Sequence, residues 1–144
     1  MRITDVPRME EEESRALVIA LHAMLDGLRV GQRFTAEDIR RMHRAWLGGL
    51  YRWAGDYRSV QVSKGGFTFA DARFIANLMV EYESGPLATF TPCWPAGRSA
   101  VAHALAVTHC ELVLIHPFRE GNGRCARILS TLMGAQAGLP PLVF

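Results

Sequence analysis

The stretch His116-Pro-Phe-Arg-Glu-Gly-Asn-Gly-Arg-Cys-Ala-Arg127 places a proton acceptor, a carboxylate, two glycines and a closely spaced pair of arginines between two apolar, helix-like runs. Pro117 cannot continue a helix that ends near Ile115. The chain must therefore turn just after His116, leaving that imidazole at the mouth of whatever the preceding helix buries. Gly121 and Gly123 flank Asn122 and allow backbone conformations that a side chain forbids. The helix they open exposes N–H groups, and its dipole favours an anion. Arg124 and Arg127 add two guanidinium forks suited to phosphate oxygens. Glu120 offers one carboxylate to Mg²⁺, which usually takes one or two protein carboxylates and completes its shell with phosphate oxygens and water. Each part alone has a plainer reading: a capping histidine, a glycine turn, solvated arginines. Together within one short loop they point to phosphoryl or nucleotidyl transfer.

The elements that must position this loop can be read from periodicity. Leu17, Ala20, Leu21, Met24, Leu25 and Leu28 recur at helical spacing and predict an amphipathic helix over Met9 to Leu28. The acidic run Glu10 to Glu13 at its start reads as solvated and favoured by the helix dipole. Thr35 reads as the N-cap of a second helix carrying Ile39, Met42, Trp46 and Leu47 and stopping at Gly48-Gly49. The aromatic and glycine-rich segment 51–70 suggests a short β-hairpin inserted among helices. Asp71 would cap a third helix with Phe74, Ile75, Leu78, Met79 and Tyr82 on its buried stripe, followed by a loop over roughly residues 84–98. Ser99 to Ile115 is so rich in Ala, Val and Leu that it reads as a central helix buried nearly all round. A last helix would run from Gly123 or Arg124 to about Ala137, stopped by Gly138 and Pro140. The expected fold class is mainly α with one small hairpin.

Bulk properties bound the rest. A chain of 144 residues is most simply one domain over residues 1–144, large enough to fold without disulfide staples. Lys and Arg number 16 against 14 Asp and Glu, a net charge of +2, and no basic stripe appears, so no nucleic-acid partner is expected. Cys93, Cys110 and Cys125 are odd in number and widely spaced, which suits reduced thiols in a cytoplasmic setting. The acidic start lacks a signal-peptide pattern and no apolar stretch reaches the roughly 20 residues of a bilayer span, so no membrane association is expected. Delivery as a secreted effector by other machinery stays open. His103, His109 and His116 do not share a metal-binding helix face, and His22 and His43 read as ordinary helix residues. Trp46 and Trp53 read as core and turn anchors, and Cys125 as structural.

The stretch from His116 to Arg127 fills every fixed position of H-x-F-x-[DE]-G-N-G-R-x-x-R, and in it the chain resembles the Fic family. Residues 51-YRWAGDYRSV-60 resemble the family's Trp-Ala-Gly turn, and Val60 to Ala70 its β-hairpin flap. The resemblance implies a Fic-type helical bundle with one short β-hairpin flap: a core over about residues 30–140, a flap over about 58–70 and a catalytic loop over 116–127. It implies an enzyme that moves AMP from ATP to a Ser, Thr or Tyr hydroxyl of a target protein and releases pyrophosphate. By motif position His116 would be the general base and Phe118 the loop anchor. Glu120 would hold Mg²⁺. Gly121, Asn122, Gly123 and Arg124 would form the anion hole, and Arg127 would bind the γ-phosphate. The backbone of Ser63, Lys64, Gly65, Gly66 and Phe67 would pair with an extended segment of the target.

Two features refine this expectation. The related Doc toxins resemble the motif but carry a lysine where Gly123 stands and are linked to kinase chemistry, so Gly123 favours AMP transfer. Many Fic proteins restrain themselves with a helix reading [ST]-x-x-x-E-[GN], and no Ser or Thr of this chain has Glu four positions later. Restraint would then come from a separate antitoxin-like protein carrying that pattern, from a further C-terminal helix, or not exist. The alternatives to AMP transfer are a Doc-like kinase, transfer of another nucleotide such as UMP, and a catalytically silent nucleotide-binding regulator.

Overall fold

The computed structural model describes residues 5–142. Helix α1 (Val6–Asp26) starts with Pro7 in its first turn, where a missing N–H costs nothing. Helix α2 (Ala36–Leu47) opens on a reciprocal cap: Asp38 N–H donates to Thr35 Oγ1 at 3.1 Å and Thr35 N–H donates to Asp38 Oδ2 at 2.9 Å. An irregular aromatic segment then leads to strands β1 (Ser63–Lys64) and β2 (Phe67–Thr68), which pair antiparallel with Lys64 opposite Phe67. Gly65 and Gly66 make the two-residue turn, and both have positive φ, 57° and 80°, as a type I′ turn requires. The regular hairpin is thus shorter than the segment 51–70 suggested.

Asp71 caps a tight turn, accepting from Arg73 N–H, and helix α3 (Ile75–Tyr82) follows. That 3₁₀ turn over Ala72–Phe74 changes the angular step, so Phe74 falls off the buried stripe and is 53% exposed, with the Arg73 guanidinium over its ring. The expected loop after residue 84 is not a loop at first. One π-type turn over Glu83–Leu87 accommodates Pro86, and a short helical turn α4 (Ala88–Phe90) continues before the chain becomes irregular. Helices α5 (Arg98–Ile115) and α6 (Asn122–Gln136) complete the fold.

The expected central helix is also corrected. Five of the 18 residues of α5 are buried, against ten of the 15 of α6, so α6 is the helix the others surround. It packs on α5, α2 and α1. Small residues explain the misreading. Ala100, Ala102 and Ala106 raise the apolar content of α5 without bulk and are exposed. At 18 residues and mean hydropathy 1.2, α5 is the one described helix that reaches the length and apolarity of a membrane span, and in the fold it lies against α6 and α3. The core centres on Trp46, Leu47, Ile39, Phe118, Leu129 and Met133. Full burial of side chains of this size contributes roughly 1.5–3 kcal/mol each. Trp46 and Phe118 are the largest; Trp46 abuts the loop between α5 and α6, and Phe118 belongs to it.

Candidate active site

His116 follows the last residue of α5 with φ 53° and ψ 58°, the left-handed region. Pro117 disfavours the right-handed helical conformation for the residue before it, and the His116 N–H still closes the helix on Leu112 O at 3.0 Å. The side chain is held by two contacts. Nδ1 lies 3.1 Å from Val113 O, and since a carbonyl can only accept, Nδ1 carries the proton and Nε2 keeps its lone pair. The ring stacks on Phe69 of the hairpin, with centroids 3.7 Å apart and planes 13° from parallel. Burial pushes the His116 pKa below its ordinary 6.5. The Arg58 and Lys64 cations act in the same direction, and the Val113 bond and the Glu120 carboxylate oppose them. His116 is therefore neutral near pH 7.

The loop after it is braced from inside. Phe118 is fully buried and stacks on His43 at 3.9 Å. The Asn122 side chain grips the Phe118 backbone twice, accepting from its N–H and donating to its carbonyl, both at 2.8 Å. Asn122, expected in the anion hole, thus contributes its side chain to the turn and leaves only its backbone for an anion. His43 accepts from Gly55 N–H through Nδ1 at 2.8 Å, so its Nε2 carries the proton and donates to Glu120 O at 2.9 Å. Burial, opposed by the bond to Glu120 and aided by nearby Arg124 and Arg44, pushes the His43 pKa down, which keeps the ring neutral while its two hydrogen bonds set the tautomer. Gly121 has φ 82°, and a Cβ there would sit 2.8 Å from the Trp46 ring. The loop therefore needs glycine at 121 twice over, for its conformation and for the indole beneath it.

A cavity of about 450 Å³ opens on this loop, lined by Val62, Ser63, Lys64, His116, Arg119, Glu120, Gly121, Asn122, Gly123, Arg124 and Arg127. No side chain caps the first turn of α6 on its floor. A Cβ on Gly123 would meet nothing within 4 Å. Of the expected site residues, Ser63 and Lys64 reach the cavity, whereas Gly65, Gly66 and Phe67 form the exposed hairpin tip and do not line it. A larger groove of about 780 Å³ lies between α5 and residues 139–142, and among the described residues Arg98 is its one ionisable lining residue.

Arg124 is held from a distant part of the chain. Its Nη1 donates to Glu13 Oε2 at 2.8 Å, its guanidinium lies 4.6 Å over the Trp46 ring, and its Nη2 is 3.9 Å from Glu120. Glu13 also accepts from Tyr51 Oη at 2.6 Å, and its backbone carbonyl accepts from Trp46 Nε1 at 2.9 Å. Burial and this carboxylate push the Tyr51 phenol up to about 12. The acidic run on α1 is thus not wholly solvated: Glu13 is buried, 6% exposed, and belongs to the site. The sequence held the signal, because Glu13 falls in helical register with Leu17, Ala20 and Met24. His43 likewise sits on the buried stripe of α2 between Ile39 and Trp46 and Leu47, where a histidine must find partners. Arg58, Phe69 and Arg119 gave no such signal.

Residues 33–133 match the Fic/DOC family. The chain is 36% identical over 110 residues to the protein adenylyltransferase fic-1 of Caenorhabditis elegans, covering 74% of this chain and 20% of that protein. It is 30% identical over 139 residues to the protein adenylyltransferase Fic of Drosophila ananassae, covering 93% and 26%. This chain therefore corresponds to about a fifth to a quarter of the length of these relatives. Among solved structures, BepC of Bartonella tribocorum with bound AMPPNP superposes with a TM-score of 0.78 at 21% identity, covering 94% of this chain and 71% of BepC. The helical order and the loop between α5 and α6 are accordingly inherited ones: the chain belongs to the Fic/DOC family.

Proposed function

We propose that this chain transfers AMP from ATP to a Ser, Thr or Tyr hydroxyl of a target protein, as a protein adenylyltransferase. The observation that carries the reading is the tautomer of His116: a neutral imidazole, its Nδ1 proton committed to Val113, with the Nε2 lone pair in a residue that lines an arginine- and glycine-rich cavity. In the reaction the target hydroxyl oxygen attacks the α-phosphorus and its proton passes to His116 Nε2. The bond from the α-phosphorus to the bridging oxygen breaks, and pyrophosphate departs. The uncapped amides at the start of α6, with Arg124, stabilise the charge that develops on the phosphate. Arg127 takes the γ-phosphate. The names of the curated relatives and the AMPPNP bound to BepC support this nucleotide chemistry.

Glu120 would hold Mg²⁺. Its side chain is 65% exposed at the cavity and, among the described residues, is the one carboxylate lining it, a donor set that suits an ion completing its shell with phosphate oxygens and water. Held there, Mg²⁺ would neutralise phosphate charge. The two-stranded hairpin leaves one edge of β1 unpaired, and Val62, Ser63 and Lys64 border the cavity, so an extended target segment added to β1 brings its hydroxyl toward His116.

The test is to incubate the protein and its His116→Ala variant with α-labelled and, separately, γ-labelled ATP and a bacterial lysate. Label should enter protein from the α position only, and the variant should lose it. Label from the γ position alone would identify a kinase. Retained nucleotide binding with no labelling at all would identify a regulator.

A further inference from the structure

Arg58 is 4% exposed, and all three of its side-chain hydrogen bonds go to backbone carbonyls. Nε donates to His116 O at 2.7 Å, Nη1 to Val60 O at 2.9 Å and Nη2 to Ala70 O at 2.6 Å. Its own N–H donates to Pro117 O at 2.8 Å. Val60 and Ala70 are the two stems of the hairpin, lying just outside the bond from Phe69 N–H to Val62 O that closes it. His116 is the proposed base. One guanidinium therefore spans three chain segments that share no other hydrogen-bonding centre of this kind among the described residues. Burying a cation is unfavourable unless its donors are satisfied, and a planar fork with donors aimed in different directions meets three separated carbonyls where a single ammonium cannot.

We propose that Arg58 is a positioning residue for the transfer reaction. By fastening both stems of the hairpin to the backbone of His116, it holds the strand that docks the target and the imidazole that deprotonates it in one rigid frame. The inference rests on the reading of His116 as base and of β1 as docking edge. A second link lies parallel to it, the stacking of Phe69 on His116, but a ring contact limits approach along one direction and allows sliding in its plane. The arginine supplies the missing restraint along the backbone. A base and nucleophile displaced by about 1 Å can lose on the order of 100-fold in rate, so such a frame matters to turnover more than to nucleotide affinity.

Two experiments test it. In the unaltered protein, native-state hydrogen exchange against urea should show the amides of Phe69, Arg58 and His116 opening on one common isotherm. Opening of Phe69 at lower urea than the other two would overturn the frame, because the hairpin would then move by itself. In the full chain, Arg58→Lys and Arg58→Gln should bind ADP within about threefold of the parent while kcat for AMP transfer falls at least about tenfold and KM for ATP stays unchanged. Full activity in Arg58→Lys, or a loss confined to KM for ATP, would overturn the positioning role. If neither variant folds, the isotherms decide alone. They also decide if the parent transfers no AMP, an outcome that overturns the proposed function without touching the frame.

Discussion

His116 is the one described non-glycine residue with positive φ, and such a conformation costs on the order of 1–3 kcal/mol. The cost is met by contacts at every part of the residue: its N–H on Leu112, its carbonyl on Arg58, its Nδ1 on Val113 and its ring on Phe69. These contacts also set its titration. An NMR titration of the ring should give a midpoint below 6.5, and AMP transfer should fall as pH drops through that midpoint. A midpoint above 6.5 would contradict the burial that the structure gives the ring. The stability consequence has a definite sign. His116 and His43 both have folded pKa values lowered from 6.5, so the stability they carry is complete above pH 6.5 and declines as pH falls toward their folded values.

At the scale of elements, the loop between α5 and α6 rests on α2. Gly121 lies against Trp46, Phe118 against His43, and Glu120 O on His43 Nε2. Two neighbouring glycines should therefore respond differently to the same change. Gly121→Ala meets both a positive φ and the indole, and should destabilise by roughly 1–3 kcal/mol. Gly123→Ala is helical and enters open space, and should leave thermal stability unchanged or slightly raised. Equal melting temperatures for the two would show that Trp46 does not support the loop. Much of this scale was legible in the sequence: the Thr35 cap, the Gly65-Gly66 turn, the break at Pro117 and the loop itself all follow from local chemistry. What was not legible depended on partners far along the chain. Nothing local says that Asn122 turns inward to bind Phe118, that Arg58 spans three carbonyls, or that α5 leaves most of its residues unburied. Pro86 misled for a local reason, since a π-type turn removes the clash that normally ends a helix.

At the scale of the whole molecule, α1 is wired into the site. Glu13 satisfies Arg124 and Tyr51 with its carboxylate, and its backbone carbonyl satisfies Trp46. Glu13→Ala removes the acceptor of two partly buried donors and should cost roughly 1–3 kcal/mol in urea unfolding. Glu13→Gln keeps an acceptor and should cost less. Indistinguishable unfolding of Glu13→Ala and the parent would show that the contact carries no weight.

The contact with α1 bears on where this domain physically begins. The Fic/DOC family model matches residues 33–133, but the carboxylate that orients Arg124 lies upstream of them, on a helix that the longer match to the Drosophila ananassae relative takes in. The family signature and mechanical completeness thus draw different borders on the same chain. Anyone trimming it for expression, grafting or fusion at residue 33 would cut away the support of Arg124, the arginine proposed to bind phosphate. The resulting fragment would keep the whole motif and lack the means to aim it.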